Sequence, residues 1–328
     1  MSSLCLTLAE HSASSLQKKI VKYCDQLDLI EIRLDHLDDV AVPVLPPART
    51  AQFIATCRPP REGGEFRGTE AERLAVLKLA VEAGFDWIDL EYDVPLAELP
   101  ASSTRIVRSR HFFDRFPSGL NKVLTELAEA GGDAYKMAVR VSTTSELVTL
   151  LSWVEELPAG LPRVMLGMGE LGQVSRIMGP FLQNLWTYVI EAAGDEVAPG
   201  QFSLQEAQQV YRVGRWDALT DLFLLVGTHA PSMERVRLLN LLFEHYEYSG
   251  VTLPCVVDDL VPLEEYVAQS SLPFRGIGRY GLLDANSRAD SVEDPNPEAL
   301  MESVAEQFCQ WTDIDPERDV IRGYLGGN

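Results

Sequence analysis

The chain has 328 residues, of which 46% are hydrophobic and 23% charged, a composition typical of a soluble globular protein with one or two domains. No run approaches the roughly 18 uninterrupted apolar residues of a membrane span, and the N-terminus has no basic region ahead of its apolar stretch, so we expect neither a membrane span nor a signal peptide. The net charge of −21 argues against nucleic acid as a partner, because binding a polyanion needs clustered Lys and Arg.

Charge and cysteine content add two further expectations. Residues 1–215 carry a net charge of −8 and residues 216–328 a net charge of −13, which suggests two segments with different roles. The five cysteines have neither CxxC nor Cys/His spacing, so we expect free thiols in a reducing cytoplasm, without disulfides or zinc.

Up to about residue 201, short apolar strands alternate with amphipathic helices. The candidate strands cover residues 4–9, 27–35, 52–58, 86–93, 105–111, 134–139, 163–168 and 185–192. Helical patterns cover residues 14–25, 69–83, 118–130, 144–157 and 172–184, and Thr69 with Glu72 has the spacing of a capping box. This alternation predicts a parallel α/β fold, either a (β/α)8 TIM barrel or a doubly wound sheet. Eight strands favour the barrel, and no GxGxxG opens the chain as a dinucleotide-binding fold would require.

Lys136 lies in the apolar sixth strand, within the stretch GGDAYKMAVR (131–140), whereas the other five lysines lie in polar or amphipathic helical contexts. A buried ammonium is unfavourable unless it is paired or loses its proton. Two interpretations follow. Lys136 pairs with Asp89 or Glu91, or burial lowers its pKa and frees the amine to form a Schiff base with a carbonyl.

Other polar residues follow the predicted strands at the end where barrels keep their chemistry. His111 is the one histidine placed to act as a general base near Lys136. Arg33, Arg58 and Arg176 suggest a clamp for an anionic substrate. Together these residues predict Schiff-base chemistry on a small keto acid. An aldolase acting on a phosphorylated sugar is the alternative, which the lack of a Gly-rich phosphate loop weakens.

Seven short stretches of residues 1–203 resemble type I 3-dehydroquinate dehydratase. They are EIRLD (31–35), TCRPPREGG (56–64), IDLE (88–91), SRHFFDRFP (109–117), YKMAV (135–139), MGELGQVSR (168–176) and APGQ (198–201). The resemblance implies a TIM barrel and a carbon–oxygen hydro-lyase that converts 3-dehydroquinate to 3-dehydroshikimate in the shikimate pathway of aromatic amino acid and chorismate biosynthesis. It also implies a reaction without a metal or other cofactor.

The resemblance further assigns roles to individual residues. Lys136 would condense with the C3 ketone, and His111 would remove a C2 proton and then protonate the departing C1 hydroxyl in a syn elimination. Glu62 would orient His111, and Arg176 would hold the substrate carboxylate. The remaining implied residues, which contact ring hydroxyls or frame the pocket, are Glu31, Arg33, Arg58 and Gln201.

Three positions depart from the family pattern. Phe112 follows the histidine where the family usually has Asp, Phe116 replaces a Thr, and Val197 replaces a small hydroxyl residue before APGQ in a loop about two residues longer than usual.

Residues of about 218–283 resemble the substrate-binding, N-terminal domain of shikimate dehydrogenase. The likeness rests on a strand ending at Gly227, a long helix ending near residues 248–250, a further strand, VDDL (257–260) and LPFRG (272–276). The functional positions of that domain are replaced by Pro231, Met233 and, near the place of its catalytic lysine, Asp284. A linker over residues 287–298 and a helix over about 297–311 complete the prediction.

We therefore expect a dehydratase barrel over residues 1–212 and a second, smaller α/β domain with an acidic C-terminal segment over residues 218–328. The expected partner is 3-dehydroquinate, with no nucleic acid and no membrane, and we expect a cytoplasmic homodimer. The second segment is either a scaffold for dimerisation or enzyme docking, or a vestigial appendage. A catalytically weak or silent binding protein of the same pathway is the alternative function.

Overall fold

The computed structural model describes residues 3–217, 219–280 and 296–326. The chain forms two compact units, the first comprising Met1–Ser142 with Trp153–Leu204 and the second comprising Thr143–Ser152 with Gln205–Asn328. Among the described residues, no helix has the length and apolar character needed to cross a membrane.

Eight parallel strands form the sheet of the first unit. They are β1 (Ser3–Leu8), β2 (Leu29–Arg33), β3 (Gln52–Thr56), β4 (Trp87–Glu91), β5 (Arg105–Phe112), β6 (Ala134–Arg140), β7 (Arg163–Met168) and β8 (Trp186–Val189). The hydrogen-bonded order is β7-β6-β5-β4-β3-β2-β1-β8. The two end strands approach each other where the Leu185 N–H donates to the Arg163 carbonyl at 2.8 Å. This arrangement is the predicted eight-stranded barrel.

The barrel interior separates into an apolar layer and a polar rim. The apolar layer includes Cys5, Ile54, Trp87, Val107 and Trp186, all of which are buried. The carboxyl ends of the strands carry the charged side chains, and because all strands are parallel these ends meet on one face.

The helices of the barrel follow the predicted positions closely. They are α1 (Ala13–Tyr23), α2 (Glu70–Glu82), α3 (Leu120–Glu129), α4 (Thr144–Glu156), whose first residues belong to the second unit, and α5 (Gln173–Ile177). The capping box predicted at Thr69 and Glu72 is present. The prediction of a helix over residues 172–184 was too long, because Pro180 has no N–H and disfavours helical geometry in the residue before it.

The second unit contains a three-stranded parallel sheet in the order β10-β9-β11. Its strands are β9 (Asp221–Gly227), β10 (Gly250–Val256) and β11 (Phe274–Arg279), and its own helices are α6 (Met233–His245), α7 (Leu260–Gln269), α8 (Pro297–Thr312) and α9 (Arg318–Gly326). The strand ending at Gly227 and the helix predicted near 297–311 are therefore present, whereas α9 was not predicted. Asp284 and most of the predicted linker lie outside the described residues.

Candidate active site

A cavity opens at the carboxyl ends of the barrel strands and encloses about 470 Å³, solvent at its mouth included. All eight residues singled out from the sequence line it, namely Glu31, Arg33, Arg58, Glu62, His111, Lys136, Arg176 and Gln201. Its other walls include Phe113, Met168, Tyr188, Val197 and Ala198. The structure thus brings the predicted amine, imidazole and arginines to one enclosed place.

Lys136 is buried at the bottom of this cavity and is paired. Its Nζ donates to Asp89 Oδ2 at 2.9 Å and lies 3.6 Å from Glu31 Oε1. The ring of Tyr188 lies beside it, with Nζ 4.2 Å from the ring centroid, a cation–π distance. Of the two carboxylates considered from the sequence, Asp89 is therefore the partner of Lys136. Glu91 pairs with arginines, and the Lys136 amine has the buried carboxylate of Asp89 as its hydrogen-bond acceptor.

Arg58 connects the two carboxylates of strand β4. It donates to Asp89 and to Glu91, each at 2.7 Å, and to the hydroxyl of Ser109 at 2.8 Å. Burial would raise the pKa of Asp89, but Arg58 and Lys136 together lower it well below its usual value. Asp89 therefore remains ionised between two cations.

Glu31 is held by two hydroxyl groups from neighbouring strands. Thr7 Oγ1 donates to one carboxylate oxygen at 3.0 Å and Thr56 Oγ1 to the other at 2.8 Å. These bonds fix a second carboxylate beside the Lys136 amine. Neither threonine was singled out from the sequence, because each looks like an ordinary strand residue until the register places it beside β2.

His111 at the end of β5 is oriented by Glu62. One carboxylate oxygen, Oε2, lies 3.0 Å from His111 Nδ1 and also accepts the His111 backbone N–H at 2.6 Å. Burial raises the pKa of Glu62 to about 7, and burial with the nearby cations Arg58 and Lys136 lowers the pKa of His111 well below its usual value. The imidazole is therefore neutral at neutral pH. Because Glu62 occupies Nδ1, Nε2 is the nitrogen left to exchange protons with a ligand.

The arginines at the mouth differ in how they are paired. Arg33 donates from Nε and Nη2 to the two carboxylate oxygens of Asp35, at 3.0 and 2.7 Å. Arg176 instead donates to backbone carbonyls, those of Gly167 at 3.0 Å and Pro199 at 3.3 Å, and burial lowers its pKa to about 10. Among the described residues, Arg176 has no carboxylate within ion-pair distance, which suits it to receive an anionic ligand.

Gln201 holds the loop that precedes it. Its side-chain oxygen accepts the backbone N–H groups of Val197 and Ala198, at 2.8 and 3.1 Å. Val197 and Ala198 both line the cavity. Gln201 therefore shapes the wall of the cavity at the position where the sequence departs from the family pattern.

The departure at Phe112 lies next to the cavity rather than in its lining. The Arg110 guanidinium lies 4.9 Å from the centre of the Phe112 ring, a cation–π distance, and Phe112 is not among the lining residues. Phe113 does line the cavity, and its ring stacks on His111 at a centroid distance of 6.1 Å. A Cβ at Gly63 would lie 2.2 Å from the Phe113 ring, so a glycine at that position leaves room for the stack.

In residues 3–217, 219–280 and 296–326, no group of three or more His, Cys, Asp or Glu side chains is arranged to hold a metal ion. All five cysteines are free thiols.

Residues 4–215 match the model of a protein family described as Type I 3-dehydroquinase. A 3-dehydroquinate dehydratase of Methanocaldococcus jannaschii is 28% identical over 218 residues, which cover 64% of this chain and 98% of that protein. One of Dehalococcoides mccartyi is 32% identical and covers 60% of this chain and 90% of that protein.

Similarity beyond the barrel comes from two longer proteins. A bifunctional 3-dehydroquinate dehydratase/shikimate dehydrogenase of Arabidopsis thaliana, described as chloroplastic, is 26% identical over 83% of this chain and 47% of its own length. The structure of an S. pombe dehydroquinate dehydratase and shikimate dehydrogenase covers 85% of this chain and 56% of its own, with a TM-score of 0.52 and 18% identity.

The 3-dehydroquinate dehydratase structure from Geobacillus kaustophilus covers 63% of this chain and 89% of its own, with a TM-score of 0.53 and 24% identity. The predicted fold, with a shikimate dehydrogenase-like second domain, is therefore confirmed.

Proposed function

The chain belongs to the type I 3-dehydroquinase family and is a 3-dehydroquinate dehydratase of the shikimate pathway, and we propose that Lys136 forms the imine through which it acts. The observation that carries this proposal is the placement of the Lys136 amine in the cavity, 2.9 Å from Asp89 and beside the neutral imidazole of His111. Because the chain belongs to the type I 3-dehydroquinase family, we do not retain the alternative of an aldolase that acts on a phosphorylated sugar.

Imine formation requires an unprotonated amine. Asp89 stays ionised because its pKa lies well below the usual value, so the neutral imidazole of His111, in the same cavity, is the base that takes the proton from Lys136 Nζ. The amine then adds to the C3 carbonyl of 3-dehydroquinate to give a carbinolamine. The His111 imidazolium returns the proton to the carbinolamine hydroxyl, which leaves as water, and the product is a protonated imine with a neutral imidazole beside it. The positive charge of this imine replaces that of the ammonium. The carboxylates of Asp89 and Glu31 therefore stabilise the cation on Lys136 both before and after the imine forms.

Elimination then uses His111. The imidazole Nε2 takes a proton from C2, the carbanion electrons are delocalised into the imine, and the imidazolium that results is stabilised by Glu62 at Nδ1. The same imidazolium returns its proton to the C1 hydroxyl as the C1–O bond breaks, which releases water. Hydrolysis of the imine frees 3-dehydroshikimate and restores Lys136.

The substrate carboxylate is assigned to Arg176, because in the described part of the chain that buried guanidinium donates to backbone carbonyls and to no carboxylate. Glu31, Arg33, Arg58 and Gln201 frame the ring of the substrate in this proposal. Arg33 and Arg58 are already paired with carboxylates. In this proposal they therefore orient the substrate, and they do not provide an unpaired positive charge for its carboxylate.

Borohydride trapping tests the imine. The protein is incubated with 3-dehydroquinate, reduced with borohydride and digested, and the peptides are analysed by mass spectrometry. We expect one stable adduct, on the peptide that contains Lys136, together with loss of activity measured from the ultraviolet absorbance of the enone product. An adduct on another lysine would exclude the assigned role.

Two variants serve as controls for trapping. Lys136→Ala should give no adduct and lower kcat by about 10⁴-fold or more, as removal of a covalent nucleophile does. Lys78→Ala removes an exposed lysine that is 3.9 Å from Glu98 and should trap like the unaltered protein. A full rate in Lys136→Ala would refute the proposal, and an unaltered protein without turnover would favour the silent binding protein.

We propose that residues 1–212 act as the dehydratase domain and residues 218–328 as an accessory domain of a cytoplasmic homodimer. The free thiols support a reducing compartment, and the net charge of −21 argues against nucleic acid as a partner. Sedimentation of the full chain would test the dimer.

A further inference from the structure

Asp258 lies just beyond β10, at the edge of the small sheet where parallel α/β proteins usually bind ligands. Its carboxylate accepts a hydrogen bond from the Thr144 backbone N–H at 2.7 Å and one from the Thr144 hydroxyl at 2.5 Å. In return, the Thr144 hydroxyl oxygen accepts the backbone N–H groups of Asp258 and Asp259, at 3.0 and 3.4 Å. Four hydrogen bonds therefore hold one fully buried threonine.

The charge of Asp258 suits this contact. Thr144 is the first residue of α4, so its N–H is among the groups that have no partner within the helix. A carboxylate at a helix N-terminus is also favoured by the helix dipole. The hydrogen bonds from Thr144 lower the pKa of Asp258, so the carboxylate is ionised at neutral pH.

Thr144 follows the lysine-bearing strand β6 after only three residues. Between them, the Val141 N–H donates to the carbonyl of Met168 at 3.0 Å, at the end of β7. The next residue, Gly169, donates its N–H to the Pro199 carbonyl at 3.1 Å. Pro199 lies between the cavity-lining residues Ala198 and Gln201. A short run of backbone hydrogen bonds thus leads from the start of α4 to the loop that walls the substrate cavity.

We propose that Asp258 is a positioning residue for the dehydratase reaction. By fixing Thr144 it fixes the segment after β6 and, through the ends of β6 and β7, the loop over residues 197–201. The ligand-binding edge of a shikimate dehydrogenase-like sheet here holds a segment of its own chain. This inference rests on the substrate cavity assigned above.

Asp258→Ala in the full chain is the central test. We expect the KM for 3-dehydroquinate to rise about five- to tenfold, while kcat stays within about twofold, because the loop contacts the substrate whereas Lys136 and His111 are left in place. Borohydride trapping at saturating substrate should still modify Lys136. If the unaltered protein itself gave no adduct, the proposed chemistry would fail, and that result is distinct from an unchanged KM.

Asp259→Ala is the matched control. The Asp259 side chain caps α7 by accepting the Val261 N–H at 3.1 Å, and only its backbone faces Thr144. This variant should lower the melting temperature but leave KM unchanged. Equal KM values for Asp258→Ala, Asp259→Ala and the unaltered protein would overturn the proposal.

Substitutions at Thr144 keep the proposal testable if Asp258→Ala fails to fold. Thr144→Val loses the hydroxyl but keeps the N–H, and we expect its KM to rise; Thr144→Ser keeps both groups and should retain the original KM. Asp258→Asn, which still accepts from Thr144, should restore most of the affinity lost in Asp258→Ala. A rise in KM for Thr144→Ser equal to that for Thr144→Val would contradict a role for these hydrogen bonds.

Discussion

The two units differ in which polar side chains they bury. Every buried Asp, Glu, Lys and Arg side chain among the described residues belongs to the first unit. In the described part of the second unit, the buried polar side chains are neutral: Thr144, Thr220, Asn240 and Thr252. The first unit therefore buries charged side chains away from water, whereas the described part of the second unit buries only neutral ones.

This difference indicates where chemistry is retained. A buried ion pair is often no more stable than apolar residues of similar volume, since the loss of hydration costs several kcal/mol for each ion. Charges such as Asp89 and Lys136 are then better explained by reactivity than by stability. The second unit packs rings instead, with Phe223, Phe243, Phe308 and Trp311 at centroid distances of 4.8 to 5.2 Å.

Asp89→Asn tests the buried charges of the first unit and should have the larger effect of the two substitutions that compare the units. It removes the counter-charge of Lys136 and Arg58, and with it a charge that stabilises the protonated imine on Lys136. We expect a loss of about 3–5 kcal/mol in the free energy of unfolding and a fall in kcat of at least about 100-fold. Denaturant unfolding and steady-state kinetics would measure both.

A matched substitution in the second unit is Asn240→Ala. Asn240 is buried and bonds the backbone N–H and carbonyl of Thr252, at 2.7 and 3.0 Å. The variant should lose about 1–3 kcal/mol of stability, because two buried backbone groups lose their partner, while kcat stays unchanged. A fall in kcat comparable to that of Asp89→Asn would remove the distinction between the two units.

Glu62→Gln tests how the buried acid supports the buried base. The pKa of Glu62 is about 7, so its carboxylate, which stabilises the His111 imidazolium during proton transfer, is lost as the pH falls through that value. We expect kcat/KM of the unaltered protein to fall with decreasing pH near 7. The variant should lose that inflection and have a plateau about 10- to 100-fold lower.

The pH profile separates this role from a structural one. The pKa of His111 lies well below its usual value, so protonation of the imidazole itself should affect activity only at lower pH. If the inflection near 7 were the same in Glu62→Gln, Glu62 would not be its source.

The sequence predicted the fold and the residues of the cavity because both depend on local pattern. Strand spacing gave the eight-stranded barrel, and charged residues at strand ends marked the rim. Lys136 was identified because a lysine in an apolar strand is rare, and Asp89 was one of its two proposed partners. The resemblance to known dehydratases then assigned roles to Glu62 and Gln201, which follow the third and eighth predicted strands.

What the sequence did not show depends on contacts between distant residues. The ring of Tyr188 beside Lys136 and the hydroxyl of Thr7 on Glu31 follow from barrel closure and strand register. The pair of Thr144 and Asp258 joins residues 114 positions apart, and both lie in sequences that look like ordinary helix starts. Helix α9 is short and mostly polar, so its periodicity gave little signal.

Phe112→Asp restores the residue usual in the family and should have the smallest effect. The Phe112 ring contacts Arg110 rather than lining the cavity, and His111 already has a carboxylate partner in Glu62. An Asp at this position would pair with Arg110 near the surface, an interaction of about 0–1 kcal/mol. We therefore expect kcat and KM to change by no more than about twofold.

A control at the neighbouring position sharpens this expectation. Phe113 stacks on His111 within the cavity, so Phe113→Ala should raise KM several-fold while Phe112→Asp leaves it alone. A tenfold rise in kcat for Phe112→Asp would show that a carboxylate next to the base, and not only the buried Glu62, limits proton transfer. The rate would then depend on charge outside the cavity lining, and the buried charges of the first unit would no longer suffice to explain its activity.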